Sequence, residues 1–318
     1  MNKSLYTLIF LFSFSLIFAQ KEQEITLKTK DNKTLYGTLL LPKKKGVFDL
    51  VVIIPGSGPT DRDGNNPLMK NNSLKYLAEG LAKEKIASFR FDKRGIGKSK
   101  DAITSEKELR FDTYVNDVVQ WVELLTQNPH INKIYIAGHS EGSLIGMIAT
   151  NTLIEKGIPV AGFISVAGAG KPADEILKTQ LAKNIPDTIL LNKSYAIIDE
   201  LKRGKTVNDA PKELYTLFRP SVQPYMVSWF AYNPQEELKK LNIPILILQG
   251  DADLQVSAED TQLLYESNEQ NAKLVEIDKM NHVLKIVNNL EENQASYSNP
   301  DLPVSKALID SIIKFIKG

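Results

Sequence analysis

The chain has 318 residues, with 39 basic and 38 acidic side chains for a formal net charge of +1, and no cysteine. So even a balance offers no field to attract a nucleic acid or an anionic membrane surface. Without cysteine there is no disulfide and no lipid-modified thiol, so the fold rests on its apolar core, and the length suits one large α/β domain with an insertion.

Residues 1–19 read as a secretory signal peptide: Asn2-Lys3 is a short positive start, Leu5 to Phe18 is apolar, and Ala19 is a small residue at a cleavage point. The apolar stretch is about 14 residues, short of the ~20 needed to cross a bilayer, so no stable membrane anchor is expected after cleavage. The mature chain is therefore expected to be exported, to the periplasm or the medium. Ile25 to Thr29 and Leu35 to Leu41 predict a hairpin turned at Asp31-Asn32-Lys33. Lys43-Lys44-Lys45 reads as a solvated loop. Leu50 to Ile54 is apolar without alternation, the pattern of a parallel strand covered on both faces.

That strand ends in Pro55-Gly56-Ser57-Gly58-Pro59-Thr60-Asp61-Arg62-Asp63-Gly64, a loop that allows close backbone approach and leaves N–H groups free. Asp61, Arg62 and Asp63 are expected to stiffen it through ion pairs. Leu74 to Lys83 predicts an amphipathic helix and Ala87 to Phe91 a strand. The following Asp92-Lys93-Arg94-Gly95-Ile96-Gly97-Lys98-Ser99 lacks the glycine spacing of a P-loop and reads as a structural turn. Phe111 to Thr126 has helical period.

Lys133 to Ala137 predicts a strand and Ser143 to Leu153 a helix, and between them stands Gly138-His139-Ser140-Glu141-Gly142. A serine at a sharp strand-to-helix corner has its hydroxyl lifted clear of the sheet, and glycine two residues to either side avoids collision. The helix start beyond it aims N–H groups at a developing oxyanion. Val160 to Val166 is a further strand. From Lys171 to Lys240 there is helical character but no strand, and about 70 residues is too long for a plain connection. Residues 171–240 are thus expected to form a helical cap, inserted between core segments 20–170 and 241–318. Phe218, Tyr225, Trp229, Phe230 and Tyr232 either line an acyl pocket or form the cap's own core. Ile243 to Leu248 and Ala272 to Ile277 predict the last strands, with helices over Ser257 to Asn268 and Val304 to Ile316.

A serine nucleophile needs a base, and the base an orienting acid. The chain has three histidines, His130, His139 and His282. His130 lies at the wrong end of the nucleophile strand, and His139 adjoins the serine with its side chain directed away. His282 follows the last strand at its C-terminal end, where sites of open α/β sheets lie. The acid belongs in the loop after the preceding strand, where Asp251 and Asp253 are both available; Asp253 stands farther out, within reach of the histidine. The order Ser140, Asp253, His282 is that of the α/β-hydrolase fold.

Four stretches, PGSGPTDRDGN, FDKRGIGKS, GHSEGS and GDAD…NH, resemble the α/β-hydrolase superfamily, in particular exported bacterial esterases close to serine aminopeptidase-like hydrolases. The resemblance implies a mostly parallel sheet with helices on both faces, a Ser140–Asp253–His282 triad, and backbone oxyanion donors at Ser57 and Glu141. Its G-x-x-D spacing matches Gly250 to Asp253. Many relatives have His-Gly where this chain has Pro55-Gly56; the donor, a backbone N–H, is unaffected by that change. The implied activity is cofactor-free and metal-free hydrolysis of a small carboxylic ester, of short to medium acyl chain, through an acyl-enzyme. A peptidase or amidase with the same triad is the alternative, needing a carboxylate for the substrate ammonium; Asp174, Glu175, Glu200, Glu213, Glu236 and Glu237 in the cap are candidates. A non-catalytic binding protein on this scaffold is the remaining one.

Overall fold

The computed structural model describes residues 21–43 and 46–318. The expected leader and Lys44-Lys45 lie outside the described residues. The chain opens on a hairpin, β1 (Lys21–Lys28) and β2 (Thr34–Leu41). β1 starts earlier than alternation predicts. Its first residues include Glu22 and Glu24, which face cations: Glu22 pairs with Arg90 and Glu24 with Lys98.

Strands and helices then alternate: β3 (Phe48–Ile54), α1 (Ser73–Lys83), β4 (Ala87–Phe91), α2 (Phe111–Leu125), β5 (Ile131–His139), α3 (Glu141–Glu155) and β6 (Gly162–Val166). Five helices follow without a strand: α4 (Ala173–Asn184), α5 (Thr188–Lys202), α6 (Tyr215–Phe218), α7 (Gln223–Phe230) and α8 (Pro234–Lys239). The chain closes with β7 (Ile245–Gly250), α9 (Ala258–Glu266), β8 (Ala272–Ile277), α10 (Leu290–Ser296) and α11 (Lys306–Lys317). Hydropathy does not mark α10, which is mostly polar; its start is set by Asn289, whose side chain accepts from the Glu292 N–H at 2.9 Å. Among the described residues no helix is long and apolar enough to cross a membrane.

The eight strands form one sheet in the order β1-β2-β4-β3-β5-β6-β7-β8, antiparallel at β1–β2 and β2–β4 and parallel from there on. Alternate residues of β3 serve two cores. Leu50, Val52 and Ile54 pack with α2 and α3 on one face, and Val51 and Ile53 with α1 and α11 on the other. That double burial explains the unbroken apolar run.

The helices between β6 and β7 carry an apolar cluster of their own, including Ile198, Leu201, Phe218, Met226 and Phe230. This cluster runs from α4 to α7. The last helix, α8, packs on α3 and α9, and its Leu238 joins the sheet's core, as does Leu241 beyond it. The short acidic α8 looks like surface helix in sequence, yet it fills the gap beside α3.

Candidate active site

All of the expected site residues sit at the C-terminal edge of the sheet. Ser57 follows β3, Ser140 follows β5, Asp253 follows β7 and His282 follows β8. Ser140 is the entire turn between β5 and α3, with φ 55° and ψ −123°, a conformation that a non-glycine residue holds only under constraint. The constraint is visible around it. The Ser140 N–H donates to the Val166 carbonyl at 2.9 Å. A Cβ at Gly138 would lie 2.1 Å from the Gly142 carbonyl oxygen, and one at Gly142 would lie 2.5 Å from the Ile54 oxygen. Both flanking glycines are therefore demanded by close backbone approach.

Asp253 and His282 are joined. Asp253 Oδ2 lies 2.8 Å from His282 Nδ1, and the two side chains are 1% and 6% exposed. Asp253 Oδ1 accepts from the Gln255 and Val256 N–H groups at 2.7 and 3.1 Å. Burial pushes this carboxyl's pKa up, but His282 and the backbone donors outweigh it, and the net direction is down. Asp251 does different work: its Oδ1 accepts the Lys279 N–H at 2.5 Å and shapes the turn. Of the two aspartates, only Asp253 meets the histidine.

His139 is the functional neighbour that sequence reasoning set aside. Its ring is buried and its Nε2 lies 2.8 Å from the His282 carbonyl, so Nε2 carries the proton and donates. The residue next to Ser140 thus holds the main chain of the other histidine. The two ring centroids are 5.0 Å apart. The Ser140 hydroxyl itself makes no hydrogen bond among the described residues; a serine–histidine bond of this kind often tightens only with substrate bound.

Burial, then the neighbouring His282, lowers the His139 pKa from 6.5 to about 4. The unfolded chain takes up this proton near 6.5 and the folded chain only near 4, so stability falls as pH falls through that window. The swing is on the order of 3 kcal/mol. Thermal unfolding between pH 7.5 and 4.5 is expected to show a smaller acid loss in His139→Asn than in the wild type. Equal losses would contradict the assignment.

The loop after β3 is anchored from below. Arg62 pairs with Asp92 at 2.7 Å and Asp63 with Arg90 at 2.7 Å, the stiffening ion pairs expected there. Asp61 Oδ1 instead accepts the Asp63 and Asn65 N–H groups, each at 2.9 Å. The Ser57 N–H has no partner among the described residues.

Ser57, Ser140 and Glu141 line a cavity of about 690 Å³, whose walls come from α4, α7 and the loop after β4. Ile96, Leu144, Ile176, Met226 and Trp229 make it largely apolar. Tyr225 and Trp229 of the five expected aromatics reach it; Phe218 and Phe230 belong to the insertion's own core, and Tyr232 hydrogen-bonds Asp112. None of the six candidate carboxylates of the insertion lines it. The carboxylates that do are Glu106 and Glu141. Glu106 pairs with Arg219 and accepts from Ser221, and Glu141 accepts from Tyr225 at 2.7 Å.

A family model described as serine aminopeptidase, S33, matches residues 70–286, most of the chain. The chain belongs to the S33 serine aminopeptidase family. The match to this S33 family covers the elbow, the insertion, Asp253 and His282, and begins after the Ser57 loop. Among curated proteins the chain is 28% identical to esterase EstD of Thermotoga maritima over 262 residues, 79% of this chain and 58% of that one. It is also 28% identical over 164 residues to the uncharacterized peptidase YtmA of Bacillus subtilis, covering 50% of this chain and 51% of that one. The S33 family member thus spans between half and three-fifths of these relatives' lengths. Among solved structures, Est1E from Butyrivibrio proteoclasticus superimposes with a TM-score of 0.59 at 17% identity, over 93% of this chain and 99% of that one. The likeness establishes the α/β-hydrolase fold expected from the sequence.

Proposed function

We propose that this S33 family member is an exported serine hydrolase that cleaves carboxylic esters of short to medium acyl chain. The observation that carries the reading is the buried Asp253–His282 pair, whose histidine main chain is hydrogen-bonded by His139, the residue before the strained Ser140 that lines an apolar cavity. His282 accepts the Ser140 proton as the hydroxyl attacks the acyl carbon. Asp253 holds the imidazole tautomer and stabilises its cation. The Ser57 and Glu141 N–H groups stabilise the tetrahedral oxyanion, each donor worth ~3 kcal/mol. The alcohol leaves with the proton from His282, and water activated by the same ring releases the acid. The residue 171–240 insertion caps the cavity in this reading, and its apolar wall favours an acyl chain. The resemblance to esterase EstD supports ester chemistry.

The S33 family description and YtmA favour a second reading, removal of N-terminal amino acids from peptides. It needs a free carboxylate for the ammonium group, and the two that line the cavity are already engaged. Turnover of p-nitrophenyl esters from acetate to dodecanoate, beside aminoacyl-nitroanilides, separates the two. Ester hydrolysis peaking at short to medium chains is expected. Nitroanilide turnover at comparable rates would establish the peptidase instead.

A further inference from the structure

Lys93 is a buried cation beneath the cavity, in a loop that the sequence marks only as a turn. Its side chain is 1% exposed. Its Nζ donates to the Gly56 carbonyl at 2.6 Å, lies 3.6 Å from Glu141 Oε2, and stands 5.0 Å from the centre of the Tyr114 ring. The closest contact of the ammonium is thus a main-chain carbonyl rather than the carboxylate. Burial pushes the Lys93 pKa down while Glu141 opposes it. Burying an ammonium is costly unless it is paired and hydrogen-bonded, and Glu141 Oε2 makes no hydrogen bond of its own. A lysine placed solely to stabilise the fold would close that gap and saturate its carboxylate.

The carbonyl it holds belongs to a particular peptide. A Cβ on Gly56 would lie 3.2 Å from Ser140 Cβ and 3.4 Å from His139 Nδ1, so this backbone lies directly against the nucleophile elbow. The peptide bond is trans, so its C=O and N–H point in opposite directions. Fastening the Gly56 oxygen therefore fixes the direction of the Ser57 N–H, which has no partner among the described residues. The carboxylate beside Lys93 belongs to Glu141, the first residue of α3, whose own N–H is the second donor at that corner.

We propose that Lys93 is a positioning residue for the oxyanion hole: it holds the Gly56 carbonyl so that the Ser57 N–H is presented at Ser140, and through Glu141 it keeps the two donors in register. The proposal rests on the serine-hydrolase reading above. Outright loss of one oxyanion donor costs on the order of 10²–10³ in kcat. In Lys93→Met the N–H remains but is no longer aimed, and a fall in kcat of about 10–100-fold is expected, with KM within about threefold. Affinity for a trifluoromethyl ketone, whose adduct with Ser140 places an oxyanion in the same position, should fall in proportion to kcat/KM. Lys93→Gln keeps a donor one bond short and should lie between Met and wild type.

A side chain that only supported the fold would lower the unfolding temperature and leave kcat and ketone affinity of the folded protein alone. Lys93→Met, folded by circular dichroism and within about twofold of wild type on both readouts, overturns the proposal. Labelling of the wild type with a fluorophosphonate separates the two levels. A labelled, ester-hydrolysing wild type with unaffected variants removes the role of Lys93 alone. An unlabelled and inert wild type removes the hydrolase reading and the Lys93 proposal with it.

Discussion

Replacement of Ser140 by alanine is expected to lower ester turnover by about 10⁴–10⁶-fold, the range seen when a serine nucleophile is removed from an otherwise intact site. The fold should survive. The Ser140 hydroxyl makes no hydrogen bond among the described residues, and its backbone is held by the Val166 carbonyl and by the glycines on either side. Alanine loses only the oxygen, so the unfolding temperature should change little and KM, where measurable, should stay near its wild-type value. Measurement of kcat on p-nitrophenyl butyrate with purified wild type and variant checks this. Residual turnover above about a tenth of wild type would mean that the ester is attacked by some other group.

The two aspartates after β7 provide the second large effect. Asp253→Asn is expected to lower kcat by about 10⁴-fold, because an amide in that place favours the wrong imidazole tautomer and cannot stabilise its cation. Asp251→Asn removes an acceptor from the Lys279 N–H, and the amide oxygen can still accept there. It should therefore change kcat by less than about tenfold. The comparison is internally controlled, since the residues stand two apart in one loop. A larger loss at Asp251 than at Asp253 would contradict the geometry.

The sheet and the candidate site residues were legible in the sequence for specific physical reasons. Leu50 to Ile54 is apolar at every position because β3 feeds a core on each face. The G-x-S-x-G string was legible because both glycines answer a steric demand that only strand and helix together create. His282 emerged by elimination, a consequence of the chain having only three histidines. The choice between Asp251 and Asp253 was left to reach and to family spacing, and the structure gives the latter the contact with His282. What remained hidden depends on contacts distant in sequence. His139 was correctly placed beside the nucleophile, but its hydrogen bond spans 143 residues to the His282 carbonyl. Lys93 sits in a polar string with the composition of a surface turn, and only the folded chain brings Gly56 over its ammonium. The packing of α8 was not legible, because a short acidic helix gives no sign that its one leucine belongs to the core beneath the sheet.

Reaction of the purified protein with a fluorophosphonate, followed by mass spectrometry of its peptides, tests the central claim most directly. The reagent needs an activated serine and an oxyanion site but no particular substrate. The account predicts one adduct per chain, on the peptide that contains Ser140, with ester turnover lost in parallel and labelling abolished in Asp253→Asn and in a His282 variant. A folded protein that remains unlabelled, or that carries the adduct on another residue, would contradict it.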